Sequence, residues 1–258
     1  MHDDTAAPTL DPPTPTPTAG TGPPAPGAGW REATDPHCLT AEQARKALAG
    51  APWRRLAVMG DSIAAGIGDP VDGYHHLPWA ERLAGSLRAV TGTLAYLNLG
   101  VRGVRAGEAR DHQLDRALAF APDLALVACG ANDALRRSFS PPAVEAEIEA
   151  IVGPLHAAGA LVVTFGLFDL STTSFVPAER RSGLRERLHA LGDVTRAVAR
   201  RHGGVHVDFL GHPATDDSLF SDDRIHVNRR GHAIVATETI RSLGRHLAWR
   251  PAPAERPS

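Results

Sequence analysis

Cysteine is nearly absent from this chain of 258 residues: Cys38 and Cys129 are the only two. Two thiols make no disulfide framework, and their separation fits no zinc motif, so a reducing compartment is compatible. Long apolar runs are missing as well. None approaches the roughly 18 residues that span a bilayer. The N-terminus, MHDDTAAPTL, is acidic and has no apolar core of signal-peptide kind, which gives a cytoplasmic expectation. No charge sign dominates: 27 basic residues face 29 acidic ones, for a formal charge of −2. A near-neutral balance gives no reason to expect nucleic acid or an anionic membrane as partner. Lysine is reduced to Lys46 alone. The arginines that replace it are scattered among acids, forming no basic patch. What remains, 43% hydrophobic and 22% charged side chains, is an ordinary globular composition.

Residues 1–35 are rich in Pro, Thr, Ala and Gly and carry few large apolar side chains. Such a segment buries too little surface to offset its ordering entropy and reads as a disordered tail. Residues 250–258 read as a shorter one. Residues 36–249 are then expected to form one domain, a length that suits a single sizeable core.

Within that domain strand and helix signals alternate. Short apolar runs occur at 56–59, 95–99, 124–129, 161–165 and 205–209, each apolar nearly throughout, as expected of parallel strands covered on both faces. Helical spacing fills 77–87, 106–118, 142–156, 181–200 and 229–247, and Thr40 with Gln43 makes a capping box that opens a short earlier helix. The pattern predicts an open, right-handed α/β sandwich with a parallel sheet, its five apolar runs being the candidate strands. Ligands in such folds lie beyond the carboxyl ends of the strands.

Four segments stand at those ends. Gly60-Asp61-Ser62-Ile63 follows the first strand, where a glycine-permitted turn can expose a serine hydroxyl. An N-cap is the plainer reading of this tripeptide in isolation. There is neither a Gly-Lys-Ser/Thr nor a G-x-G-x-x-G, so phosphate-loop and dinucleotide readings fail. Asn98-Leu99-Gly100-Val101-Arg102-Gly103 follows the second strand and can present a free backbone N–H. Gly130-Ala131-Asn132-Asp133 follows the third, with an amide donor on Asn132. Last, Asp223 and His226 lie three residues apart just before the final helix. At that spacing a carboxylate can fix one imidazole nitrogen and leave the other free as a base. Each segment alone has a bland explanation. Four in order supply the parts of acyl transfer.

The ordered set resembles the blocks of the SGNH hydrolases, the GDSL-type lipases and esterases, over roughly 56–236. GDSI matches the first block with Ser62, NLGVRG the second with Gly103, GAND the third with Asn132, and DDRIHVNRRGH the fifth with Asp223 and His226. Two departures stand out: Ile63 replaces the usual leucine, and Arg102 precedes Gly103 where a small residue is common. The resemblance implies a three-layer α/β/α sandwich with a five-stranded parallel sheet, a flavodoxin-like fold, and a carboxylic ester hydrolase acting on a small-molecule ester. Ser62, His226 and Asp223 would be nucleophile, base and orienting acid. The Ser62 and Gly103 amides and the Asn132 side chain would form the oxyanion hole. No metal or organic cofactor is implied. Two rivals remain: an acyltransferase using the same acyl-enzyme, and a non-catalytic binding protein, which would be expected to lose one block.

Other residues are weighed against chemistry. The thirteen histidines show no regular ligand spacing. Cys129 reads as a small buried hydrophobe, Asp61 as a support for the serine loop, and Asp208 as a tie for neighbouring backbone. Phe168, Phe175 and Val176 are candidates for an acyl or aromatic pocket, with packing against the adjacent helix as the equal alternative.

Overall fold

The computed structural model describes residues 31–249. Five strands form one sheet: β1 (Arg55–Gly60), β2 (Ala95–Asn98), β3 (Leu124–Ala128), β4 (Leu161–Phe165) and β5 (Val205–Val207). All pair in parallel, in the order β2-β1-β3-β4-β5. Alternate side chains of the inner strands enter two separate cores. Leu124, Leu126 and Ala128 of β3 face one, while Ala125 and Val127 face the other. This two-sided burial is why the runs at β1, β3 and β4 are apolar throughout rather than alternating.

Helices cover both faces. On the first lie α1 (Ala41–Ala47), α3 (Trp79–Thr91) and α8 (Arg229–Ala248), contributing Trp79, Leu83, Leu87, Ile234 and Leu243 to that core. On the second lie α4 (Ala106–Phe120), α6 (Pro141–Ala157) and α7 (Ala178–Arg201), contributing Ile148, Ile151, Leu155 and Val198. Two single-turn helices, α2 (Ser62–Ala65) and α5 (Ala131–Ala134), follow β1 and β3 directly. The expected capping box forms, with the Thr40 side chain accepting from the Gln43 amide. None of the described helices is long and apolar enough to cross a membrane.

Three expectations are corrected. β2 is an edge strand and no residue of it is fully buried, because only β1 pairs with it. The helix expected from Leu77 starts at Trp79, since Pro78 suits the position before the first turn. Residues 31–35, assigned by composition to the tail, pack on the domain. Asp35 is buried, accepting from Tyr74 Oη at 2.7 Å and pairing with Arg230 Nε at 2.9 Å, and Glu32 pairs with Arg82. Residues 1–30 and 250–258 lie outside the described residues.

The strand order reverses between β1 and β3, which run out from the sheet centre toward opposite edges. In doubly wound sheets that reversal opens a crevice at the carboxyl ends of the two strands. The loops that carry Ser62 and Asn132 both start there.

Candidate active site

β1 ends on Gly60 at φ +134°, and a Cβ there would sit 1.8 Å from the Ala128 carbonyl oxygen. Only glycine lets the chain turn so close to β3. The buried Gln113 side chain of α4 then accepts from Gly60 N at 2.8 Å and donates to Gly60 O at 2.9 Å. Asp61 caps α2 through the Ile63 amide at 2.9 Å. The rest of the turn is pinned from two sides: Trp79 Nε1 donates to Ile63 O at 2.7 Å, and Asn98 Nδ2 to Ala64 O at 2.8 Å. Ser62 is therefore the first residue of a one-turn helix whose backbone has little freedom left. Its side chain is nearly buried, at 7% exposure.

The segment 221–228 brings the other two predicted groups to it. Ser62 Oγ lies 2.7 Å from His226 Nε2, and His226 Nδ1 lies 2.6 Å from Asp223 Oδ2. The other carboxylate oxygen of Asp223 accepts from the amides of Ile225 and His226, each at 3.0 Å. Partial burial alone would raise the Asp223 carboxyl. The His226 and Ile225 amides and the imidazole outweigh it and hold the group below the usual carboxylate range. An ionised carboxylate only accepts hydrogen bonds. Nδ1 must then carry the proton toward Asp223, leaving Nε2 to accept from the serine hydroxyl.

The segment is held by residues that the sequence reading passed over. Asn228 caps α8 with its Oδ1, accepting from the Arg230 and Gly231 amides, while its Nδ2 donates to Ser218 O at 2.7 Å. Asp69, in the loop after the serine, donates its amide to Ser221 Oγ at 2.9 Å and accepts from the Asp222 amide at 2.8 Å. Gln113 had left a sequence signal of its own: it falls on the same helix stripe as Ala106, Ala109 and Ala117, a polar residue at a buried position.

Gly103 and Asn132 both line the crevice with Ser62 and His226. Gly103 adopts φ +83° with open space where a Cβ would stand, so the conformation rather than crowding calls for glycine. Asn132, within α5, donates from Nδ2 to Val104 O at 2.9 Å. A side-chain amide has a second N–H, which remains for the crevice. Asp133 Oδ2 accepts from the first amide of α4 at 3.0 Å. Together these bonds tie the loops carrying Gly103 and Asn132 to each other.

Behind the serine, Asp61 is fully buried, with the Ala131 amide close to its carboxyl. Burial, with the Asp133 carboxylate nearby, pushes this carboxyl up to about 7 against the opposing Ile63 amide. Cys129 also lines the crevice. Burial raises its thiol far above the thiolate range, which suits an inert apolar role.

The crevice has a volume of about 240 Å³. Phe168 lines it as expected, but Phe175 and Val176 do not; Phe175 packs edge-on against Phe220 at 5.6 Å. Arg102 stands exposed on its rim.

Comparison with known proteins agrees with this arrangement at the level of family and fold. Residues 58–234 match the GDSL-like Lipase/Acylhydrolase family. No curated protein sequence matches the chain. Among solved structures, the α/β hydrolase LAE5 from the metagenome of Lake Arreo superposes with a TM-score of 0.60 at 23% identity, over 76% of this chain and 96% of that one. A lipase/acylhydrolase from Enterococcus faecalis gives 0.59 at 20% identity, over 75% and 96%. A catalytic mutant of the acetylxylan esterase Axe2 from Geobacillus stearothermophilus gives 0.61 at 18% identity, over 76% and 95%.

Proposed function

The chain belongs to the GDSL-like Lipase/Acylhydrolase family and is a carboxylic ester hydrolase, and we propose on that premise that it works through an acyl-enzyme on Ser62. The observation that carries this reading is the unbroken line from Ser62 Oγ to His226 Nε2 at 2.7 Å and from His226 Nδ1 to Asp223 at 2.6 Å. Ser62 Oγ attacks the ester carbonyl as His226 takes its proton. The carbonyl oxygen becomes an oxyanion facing the Ser62 and Gly103 amides and the free N–H of Asn132. Collapse breaks the ester C–O bond, and His226 returns the proton to the departing alcohol. Water, deprotonated by the same imidazole, then releases the acid and restores the serine.

Asp223 contributes by orientation and charge. Its carboxylate holds the imidazole in the tautomer that can accept a proton and stabilises the imidazolium formed during each step. Every step is supplied by side chains and amides of this chain.

The test is an active-site-directed fluorophosphonate followed by peptide mapping, with kinetics on a chromogenic short-chain ester. Label is expected on Ser62. Ser62→Ala and His226→Ala should each lower kcat by several orders of magnitude, and the double variant should be little worse, because nucleophile and base act as one unit. Near-normal turnover by folded Ser62→Ala protein would sink the mechanism.

A further inference from the structure

We propose that the inner end of the crevice is an acyl-chain pocket and that the preferred substrates are esters of medium-chain fatty acids, of at most about eight to ten carbons. The inference rests on Ser62 being the nucleophile and names what its acyl group is.

The wall decides the chemistry. Phe165, Phe168, Leu188, Phe209, Phe220 and Val235 line the inner part, and all are buried. Among the described lining residues no charged side chain lies on this inner wall; Arg102 is at the exposed rim. His232 is the inner polar group, and both of its nitrogens are committed. Nδ1 accepts from Trp79 N at 3.3 Å, and Nε2 donates to Ile67 O at 3.1 Å. Burial keeps that ring neutral. A sugar hydroxyl entering here would lose its water and find no partner, at a cost that apolar packing does not recover. An acetyl group would leave most of the space empty. An alkyl chain satisfies the wall completely.

Size sets the length. An apolar cavity of roughly 150 Å³ holds a six-carbon ring. By that measure the 240 Å³ of the whole crevice, the space at Ser62 and the rim included, sets an upper limit of about eight to ten carbons.

The order of departure assigns the pocket to the acid rather than the alcohol. During the reaction the acyl group is fixed to Ser62, between the buried wall and the exposed rim of Arg102, Leu135 and Ile225. An alcohol lodged in the inner end would have to leave past the acyl group covalently held at the opening. With the chain inside, the alcohol departs from the rim and water enters where it stood. This arrangement also argues against carrying the acetylxylan activity of the structural neighbour over to this chain.

The test is kcat/KM across 4-nitrophenyl esters from acetate to hexadecanoate. Each methylene buried should raise it roughly threefold to fourfold up to octanoate or decanoate, after which it should fall. Val235→Phe, which fills the inner end from α8, should lower the decanoate-to-acetate ratio at least about tenfold. Leu170→Phe, from the half-buried start of the 3-10 turn Leu170–Thr172, is the second variant should the first not fold. A profile that is flat or declines from acetate onward overturns the proposal. So does a rising profile that neither folded variant shortens. Failure of the underlying reading looks different: a short fluorophosphonate would not label Ser62, whatever the ester length.

Discussion

At the scale of single residues, the serine turn is built around a carboxyl group that is better neutral than charged. Asp61 keeps one oxygen on the Ile63 amide and is fully buried behind the serine. With its carboxyl raised to about 7, the native state holds a proton that the unfolded chain has already lost above about pH 4. Stability from this group is complete below the unfolded value and is lost as the pH rises through about 7. Asp61→Asn keeps the capping oxygen and removes the titration. Thermal unfolding followed from pH 5 to pH 8 should show the parent losing stability up to about pH 7 and levelling above it, while the variant stays nearly level. Parallel curves would show that Asp61 is ionised throughout. Asn132 makes a second prediction at this scale. Asn132→Ala should lower kcat by roughly 10²–10³-fold with little change in KM, the signature of a donor used mainly in the transition state. A large KM effect at normal kcat would make it a contact for bound substrate.

At the scale of elements, what was legible followed from chemistry that is local in sequence. β1, β3 and β4 announce themselves because both faces are buried. The Asp223–His226 pair is legible because one turn of chain suffices to join the two groups. The supports were hidden because they join distant elements: Gln113 reaches Gly60 from α4, and Asp69 meets Ser221 from a different loop. The pocket wall was hidden for the same reason, being assembled from β4, α7, α8 and two loops. Phe168 and Phe175 are seven residues apart in one loop, and nothing in their spacing says which faces the crevice. Asn228 links the two levels, since its Oδ1 caps α8 while its Nδ2 holds the loop that leads to Asp223 and His226. Asn228→Asp keeps the cap and loses the donor. It should therefore lose on the order of tenfold in kcat and also melt below the parent, because a carboxylate oxygen then faces the Ser218 and Phe220 carbonyls. Asn228→Ala should lose that activity and also about 1 kcal/mol of stability. Equal activity in Asn228→Asp and the parent would reduce Asn228 to a cap.

At the scale of the whole molecule, residues 31–35 are fastened to the helix that follows the His226 segment. Residues 31–35 (Arg-Glu-Ala-Thr-Asp) carry no large apolar side chain to announce burial, so a reading by hydrophobicity leaves them in the tail. Asp35 corrects it. Its carboxylate is buried with Arg230, itself at the start of α8, two residues after Asn228 and four after His226. Burial works to raise the Asp35 carboxyl, but the His37 amide, Tyr74 hydroxyl and Arg230 together hold it below its usual range. A depressed carboxyl adds stability that is fully present above the unfolded value of about 3.8 and is lost as pH falls through the native value. Asp35→Ala removes one partner of a buried pair, a change that costs about 3 kcal/mol. In a domain of this size that corresponds to a Tm lower by roughly 6–12 °C at pH 7. The pH dependence distinguishes the ion pair from lost packing. As the solution is acidified below about pH 4, the parent forfeits the contribution of Asp35 and the gap between the two melting curves should close. A gap that stays constant down to the acid limit of folding would assign the loss to cavity and hydrogen-bond effects, with no share for the charge.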